Sequence, residues 1–276
     1  MDHKVIAEIA KQELVINIRN RWTLIFAIIF GALVVSISYF GMKAEGFSGM
    51  QNFTRTSASL LNLVLYVVPL VALVMGTLSF TGDKGSTELL YSQPVLRSEV
   101  MFGKLLGVFS SISASTLAGF ALAGIIVVAL NGFEGLSRYL VFVILSLTLS
   151  LAFLSIAMLV ATFAKRKPRA FGYSLFIWFF FVIFYDLMAI GATLLLKGKS
   201  ASVLLFVSLF GNPVDMVRVA TLIALDNVTI FGAAGASLLR FFGGSSLSTV
   251  FLVTGLTLWI VLPFWIALRL IRHQDI

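Results

Sequence analysis

Apolar and polar positions alternate along this chain in long blocks. Six apolar runs, at about residues 22–41, 58–80, 105–130, 139–164, 170–196 and 248–270, are separated by short polar stretches. At a rise of 1.5 Å per residue, about 20 residues cross a hydrocarbon core roughly 30 Å thick. A helix of that length satisfies its own backbone groups, which is what a bilayer demands of any segment that crosses it. The pattern predicts an all-α integral membrane protein with six transmembrane helices in a single domain over 1–276.

The blocks between the spans add detail. In residues 1–21, Ile6, Ala10 and Leu14 fall on one stripe while Lys4, Glu8, Lys11 and Glu13 occupy other faces, which predicts an N-terminal interfacial helix. Pro69 sits inside the second span and favours a kink there. The third span is rich in Gly, Ala and Ser, small residues that let helix backbones approach closely, so it belongs inside the bundle. Residues 81–104, TGDKGSTELLYSQPVLRSEVMFGK, form a polar interruption that predicts a loop with a short helix. Residues 197–247 hold the pieces SVLLFVSLF, MVRVATLIAL and IFGAAGASLLRFF, punctuated by Gly211, Pro213, Gly232, Gly235, Gly243 and Gly244. Each piece is too short or too interrupted to span, which predicts short interfacial or re-entrant helices before the last span.

Composition sharpens the class. The chain is 59% hydrophobic and 12% charged, with a mean hydropathy of +1.04, where a soluble domain carries about 25% charged residues. It has no cysteine, which excludes disulfides and thiolate metal sites. The net charge of +8 comes from basic residues at the edges of spans, so membrane lipid accounts for it and nucleic acid does not. Four Lys or Arg in 1–21, three in 81–104, four in 165–169 and two after 268 fall on one side of a six-span topology; two in 43–57, Arg138 and four in 197–247 fall on the other. The positive-inside rule then places both termini and 81–104 in the cytoplasm, and 197–247 outside. A cleaved secretory signal is not expected, because the polar lead of about twenty residues is too long for one.

No catalytic constellation appears. His3 and His273 lie near the two ends, and the eight methionines are scattered singly, so no metal site is expected. Gly198-Lys199-Ser200 imitates the end of a phosphate-binding loop, but Thr193 stands where its first glycine belongs. Asp186 is the one acidic residue well inside a span. A carboxylate there costs about 2.5–3.5 kcal/mol or more unless it is paired or faces a wet cavity. Asp186 with Tyr185 therefore either lines a pathway or gate, or packs against a neighbouring helix through a partner such as Asn62; both remain open.

The 81–104 stretch resembles the loop between the second and third spans of type-2 ABC exporter permeases. The matching residues are Asp83, Gly85, Ser86, Thr87, Leu89, Leu90, Pro94, Arg97, Gly103 and Lys104. Asp83 stands where Glu is common, and Ser86 is inserted between Gly85 and Thr87. Three further segments are similar to the permease subunits of the ABC transporters that mature nitrous oxide reductase. These are Ile9 to Leu14 leading to Arg19-Asn20-Arg21-Trp22, then Phe184-Tyr185-Asp186-Leu187, and Asn212-Pro213-Val214-Asp215-Met216-Val217-Arg218.

The resemblance implies a multi-pass permease of the bacterial inner membrane, acting as a homodimer with two cytoplasmic ATP-binding subunits and a periplasmic accessory protein. In that frame Asp83, Gly85, Thr87, Glu88, Pro94 and Arg97 couple to the ATP-binding subunit through a short coupling helix. Asn212, Pro213, Asp215 and Arg218 contact the outer partner. The chain itself binds no cofactor, and ATP with Mg belongs to the partner subunit. The implied role is assembly of the reductase's copper–sulfur centre, by export of a sulfur species or by work on the periplasmic protein. Export of a lipid, glycan or peptide, a non-transporting scaffold, and an ion-coupled carrier using Asp186 are the competing readings.

Overall fold

Long apolar runs become helices here because every backbone group then finds its partner within the segment, and buried hydroxyls follow the same economy. Ser146 donates to the Phe142 carbonyl at 2.8 Å and Thr116 to that of Ile112 at 2.8 Å, each one turn back along its own helix. The computed structural model describes residues 2–42, 50–81, 95–131, 133, 135–164, 166–195, 199–225 and 245–272. Among them the regular elements are α1 (His3–Ile18), α2 (Arg21–Met42), α3 (Met50–Phe80), α4 (Arg97–Asn131) and α5 (Leu136–Ala164), then α6 (Lys167–Phe179), a π-helical turn (Phe180–Phe184), α7 (Tyr185–Leu195), α8 (Lys199–Phe210), α9 (Pro213–Ala224) and α10 (Ser245–Arg272).

Six of these stretches are long and apolar enough to cross a membrane, with α6, the π turn and α7 forming one of them. The structure thus bears out an all-helical membrane fold with six spans, and it moves their edges. α3 begins at Met50 and α4 at Arg97, both earlier than the apolar runs suggest, because a helix continues through polar residues once its apolar part fixes it. α3 runs on through Pro69 and α10 through Pro263.

α5 is the central helix. Its apolar window is 61% buried, against 6% for the span made of α6, the π turn and α7. α5 touches α3, α4, α6, α9 and α10. Aromatic side chains tie its N-terminal half to its neighbours: Phe120 meets Phe30 and Phe142 edge-on, with ring centroids 5.6 and 5.4 Å apart.

Close helix crossings fall on glycine. A Cβ at Gly119 would stand 3.3 Å from the Cα of Gly31, where α2 crosses α4. α1 lies along the start of α4, where Gly103 and Gly107, one turn apart, face Ile9, Ala10 and Glu13. The apolar stripe of α1 is therefore read by a neighbouring helix. Its remaining apolar residues Val15, Ile16 and Ile18 stay exposed.

Residues 82–94 lie outside the described residues, and with them most of the 81–104 stretch in which a short coupling helix is expected, including Asp83, Gly85, Thr87, Glu88 and Pro94. Within the long segment 197–247, α8 and α9 are two short helices bent by 105° to one another, as its broken apolar pieces predict; residues 226–244 lie outside the described residues.

Candidate functional site

The bend between α8 and α9 is written in Gly211-Asn212-Pro213. Asn212 has extended backbone, its side chain accepts from the Val214 amide at 2.9 Å, and Pro213 takes the first helical position, where its missing N–H costs nothing. Asp215 falls in the first turn of α9, where a carboxylate suits the helix dipole. The side chain of Asn212 also donates to the Phe181 carbonyl at 2.8 Å. Phe181 lies in the π turn, midway along the fifth span, so the bend is an elbow reaching the middle of that span.

A buried helix end needs donors for its last carbonyls. At the end of α8 they come from aromatic side chains of two other spans. The Tyr185 hydroxyl donates to the Ser208 carbonyl at 2.7 Å, and the Trp259 indole N–H to the Phe210 carbonyl at 3.0 Å. Gly211 leaves room at the bend for the Tyr185 hydroxyl, which a Cβ there would meet. Phe181 packs edge-on against Trp259 with ring centroids 5.4 Å apart, closing the elbow between the fifth and last spans.

Charged groups meet just beyond. Arg218 Nη1 donates to Asp186 Oδ2 at 2.9 Å and to Asp215 Oδ1 at 2.6 Å, and Asn212 Nδ2 lies 3.3 Å from Asp215 Oδ2. The side chains of Arg218 and Asp186 are 30% and 29% exposed and that of Asp215 15%, so the triad lies at a half-open edge. Five of the residues singled out from sequence, Tyr185, Asp186, Asn212, Asp215 and Arg218, thus stand together.

The grouping differs from the expected one. Asp186 pairs with Arg218 of the 197–247 segment rather than with Asn62. Asn212 and Pro213, expected to face an outer partner, are buried within the chain because they form the elbow. Sequence reading missed Trp259, and it marked Gly211 only as a break between apolar pieces. The signal for the first is an indole N–H deep in an apolar span, which must find an acceptor.

The other face of the bundle carries a second set of contacts, around the ends of the 81–104 stretch. Arg97 Nη1 donates to the Ile271 carbonyl near the end of α10 at 2.7 Å. Glu99 accepts from the backbone amides of Asp2 at 2.7 Å and Leu96 at 3.1 Å. Ser79 donates to Glu13 of α1, and its carbonyl lies 3.5 Å from Lys104 Nζ. Of the residues expected to couple to an ATP-binding subunit, Arg97 alone is described, and it ties the start of α4 to the last helix.

A further polar seam joins the second and fifth spans. Thr77 and Ser174 hydroxyls stand 2.7 Å apart, and the Trp178 indole donates to the Tyr66 carbonyl at 2.8 Å, three residues before Pro69. Among the described residues, no group of three or more His, Asp or Glu side chains is placed to hold a metal ion. The chemistry available at the elbow is ion pairing and hydrogen bonding.

Residues 7–276 match the family profile described as ABC-2 family transporter protein. The chain is 33% identical over 267 residues to a protein of Pseudomonas aeruginosa named "Probable ABC transporter permease protein NosY", covering 95% of this chain and 93% of that one. It is 31% identical over 271 residues to a protein of the same name from Stutzerimonas stutzeri, covering 95% and 94%.

Proposed function

The chain belongs to the ABC-2 family of transporter proteins, and from that premise we propose that it serves maturation of the copper–sulfur centre of nitrous oxide reductase. It is the membrane permease subunit of an ABC transporter. The name of its relatives and the segments around Asp186 and Asn212 support the narrower role. ATP hydrolysis, with its Mg, belongs to two cytoplasmic ATP-binding subunits, and this chain pairs with a second copy of itself. Asp83, Gly85, Thr87, Glu88, Pro94 and Arg97 dock the ATP-binding subunit. The transporter exports a sulfur species or drives a periplasmic protein that engages the outer segment 197–247.

The observation that carries this reading is the elbow's attachment to the fifth span. A helix pair held at mid-span by Phe181, Tyr185 and Asp186 moves with that span, so displacement of the bundle reaches the outer segment. A sulfur species or mechanical work fits better than copper, because the chain has no cysteine and its two histidines sit near its ends, leaving no soft ligands for a relay.

Co-purification tests the class. Pulling down this chain from its host should recover an ATP-binding subunit and a periplasmic protein together; recovery of neither would overturn the proposal. Vesicles of the reconstituted complex that accumulated copper on addition of ATP would overturn the sulfur assignment. Export of a lipid, glycan or peptide is the second reading, favoured by the broad apolar face of the fifth span, where Phe176, Leu187, Met188 and Ile190 are exposed.

A further inference from the structure

We propose that Arg218 is a positioning residue that makes the fifth span and α9 move as one body, so that Asp186 is one end of a strut and not a substrate or proton group. This rests on the permease reading and adds the part through which motion crosses the bundle.

A rigid link between two helices needs contacts at two levels, since one contact is a pivot. Asn212 supplies the first, at the Phe181 carbonyl. Arg218 supplies the second, at Asp186. Six residues of helix separate Asn212 from Arg218, about 9 Å along α9.

The fifth span is shaped to offer both points. In an α-helix, five residues turn the chain by about 500°, which would set positions 181 and 186 roughly 140° apart. The π turn at Phe180–Phe184 widens that turn and brings Tyr185 and Asp186 round to the elbow. A π turn is an unfavourable, local departure from regular geometry. Here its effect is to align an aromatic hydroxyl and a carboxylate with the same partner element.

The charges are also arranged for a link. Arg218 lies between two carboxylates, at 2.9 Å from Asp186 and 2.6 Å from Asp215. Asp215 belongs to the same helix as Arg218 and restrains the guanidinium; Asn212 in turn holds Asp215. With its position fixed from its own helix, the guanidinium reaches across to Asp186. The neutral contacts of Tyr185 and Trp259 hold the tip of the elbow, and the ion pair fixes its angle.

The test uses the fact that the chain has no cysteine. Val207 on α8 is exposed, so a Val207→Cys chain labelled with bimane reports the surroundings of the elbow. The labelled chain is purified with its ATP-binding subunit, placed in vesicles, and its fluorescence is followed on addition of ATP. The expected result is an ATP-dependent change that falls about threefold or more in Asp186→Asn and in Arg218→Gln. The charge-exchanged pair Asp186→Arg with Arg218→Asp should regain most of it. That pair keeps one guanidinium among two carboxylates, since Arg at 186 can meet both Asp215 and the new carboxylate.

Recovery in the exchanged pair also shows that the single variants fail through lost linkage and not through misfolding. Full response in the single variants would overturn the strut. So would an exchanged pair that assembles but stays silent, since that result would require a carboxylate at 186 for its own chemistry. A labelled Val207→Cys complex with Asp186 and Arg218 intact that hydrolyses ATP without any change at the elbow would leave the permease class standing and overturn the strut. A chain that binds no ATP-binding subunit would overturn the permease reading instead.

Discussion

Gly211 is where a single methyl group would be felt most at the elbow. Its missing Cβ leaves room for the Tyr185 hydroxyl, which in turn satisfies the Ser208 carbonyl. Gly211→Ala is expected to destabilise the chain by about 1–3 kcal/mol through overpacking. Adding Tyr185→Phe should cost less than the sum of the two changes, since it removes the atom that collides. Thermal unfolding of the purified chain and its three variants in detergent checks this, and strict additivity would contradict it. At this scale the sequence was legible in kind and not in pairing. Asp186 stands out as a carboxylate in an apolar run, and Gly211 and Pro213 as a break between apolar pieces. That Arg218 answers Asp186 was hidden, because 32 residues separate them and the break between α8 and α9 sets where each side chain falls.

Among the elements, α1 shows how a sequence stripe gains a specific partner. Ile9, Ala10 and Glu13 meet the notch left by Gly103 and Gly107, and a Cβ at Gly107 would stand 2.6 Å from the Ala10 carbonyl oxygen. Gly107→Leu should lift α1 from α4 and speed amide hydrogen exchange across residues 3–18. Gly172→Leu serves as the control, because nothing stands within 4 Å of that position. Equal exchange in the two variants would mean that α1 is not held by the notch. The stripe Ile6–Ala10–Leu14 announces a helix with one apolar face, and an interfacial placement is the simplest use of it. The choice of α4 as its neighbour depends on two glycines ninety residues later, and no periodicity in α1 reports them. Span count was legible for the opposite reason: length and hydropathy act within each element. The π turn had no signal of that kind, since Phe180–Phe184 is as apolar as the residues around it.

For the whole molecule, the distribution of Lys and Arg sets an orientation that labelling can test. Ser200→Cys at the start of α8 should react with a membrane-impermeant maleimide added to intact cells. Arg166→Cys, beside α6, should react only after the membrane is opened. Both side chains are exposed, and the reverse result would invert the topology. The same orientation gives the elbow a place in time as well as in space. A segment carrying Asp215 and Arg218 gains nothing by sinking into lipid alone. Its seat is made by the fifth span, which leaves the ribosome before it, and is closed by Trp259 of α10, which leaves after it. The donor to the Phe210 carbonyl, the Trp259 indole, lies 49 residues later in the chain. The order of residues along the chain thus sets an expected order of insertion, in which α10 closes the elbow after the fifth span and α9 are in place.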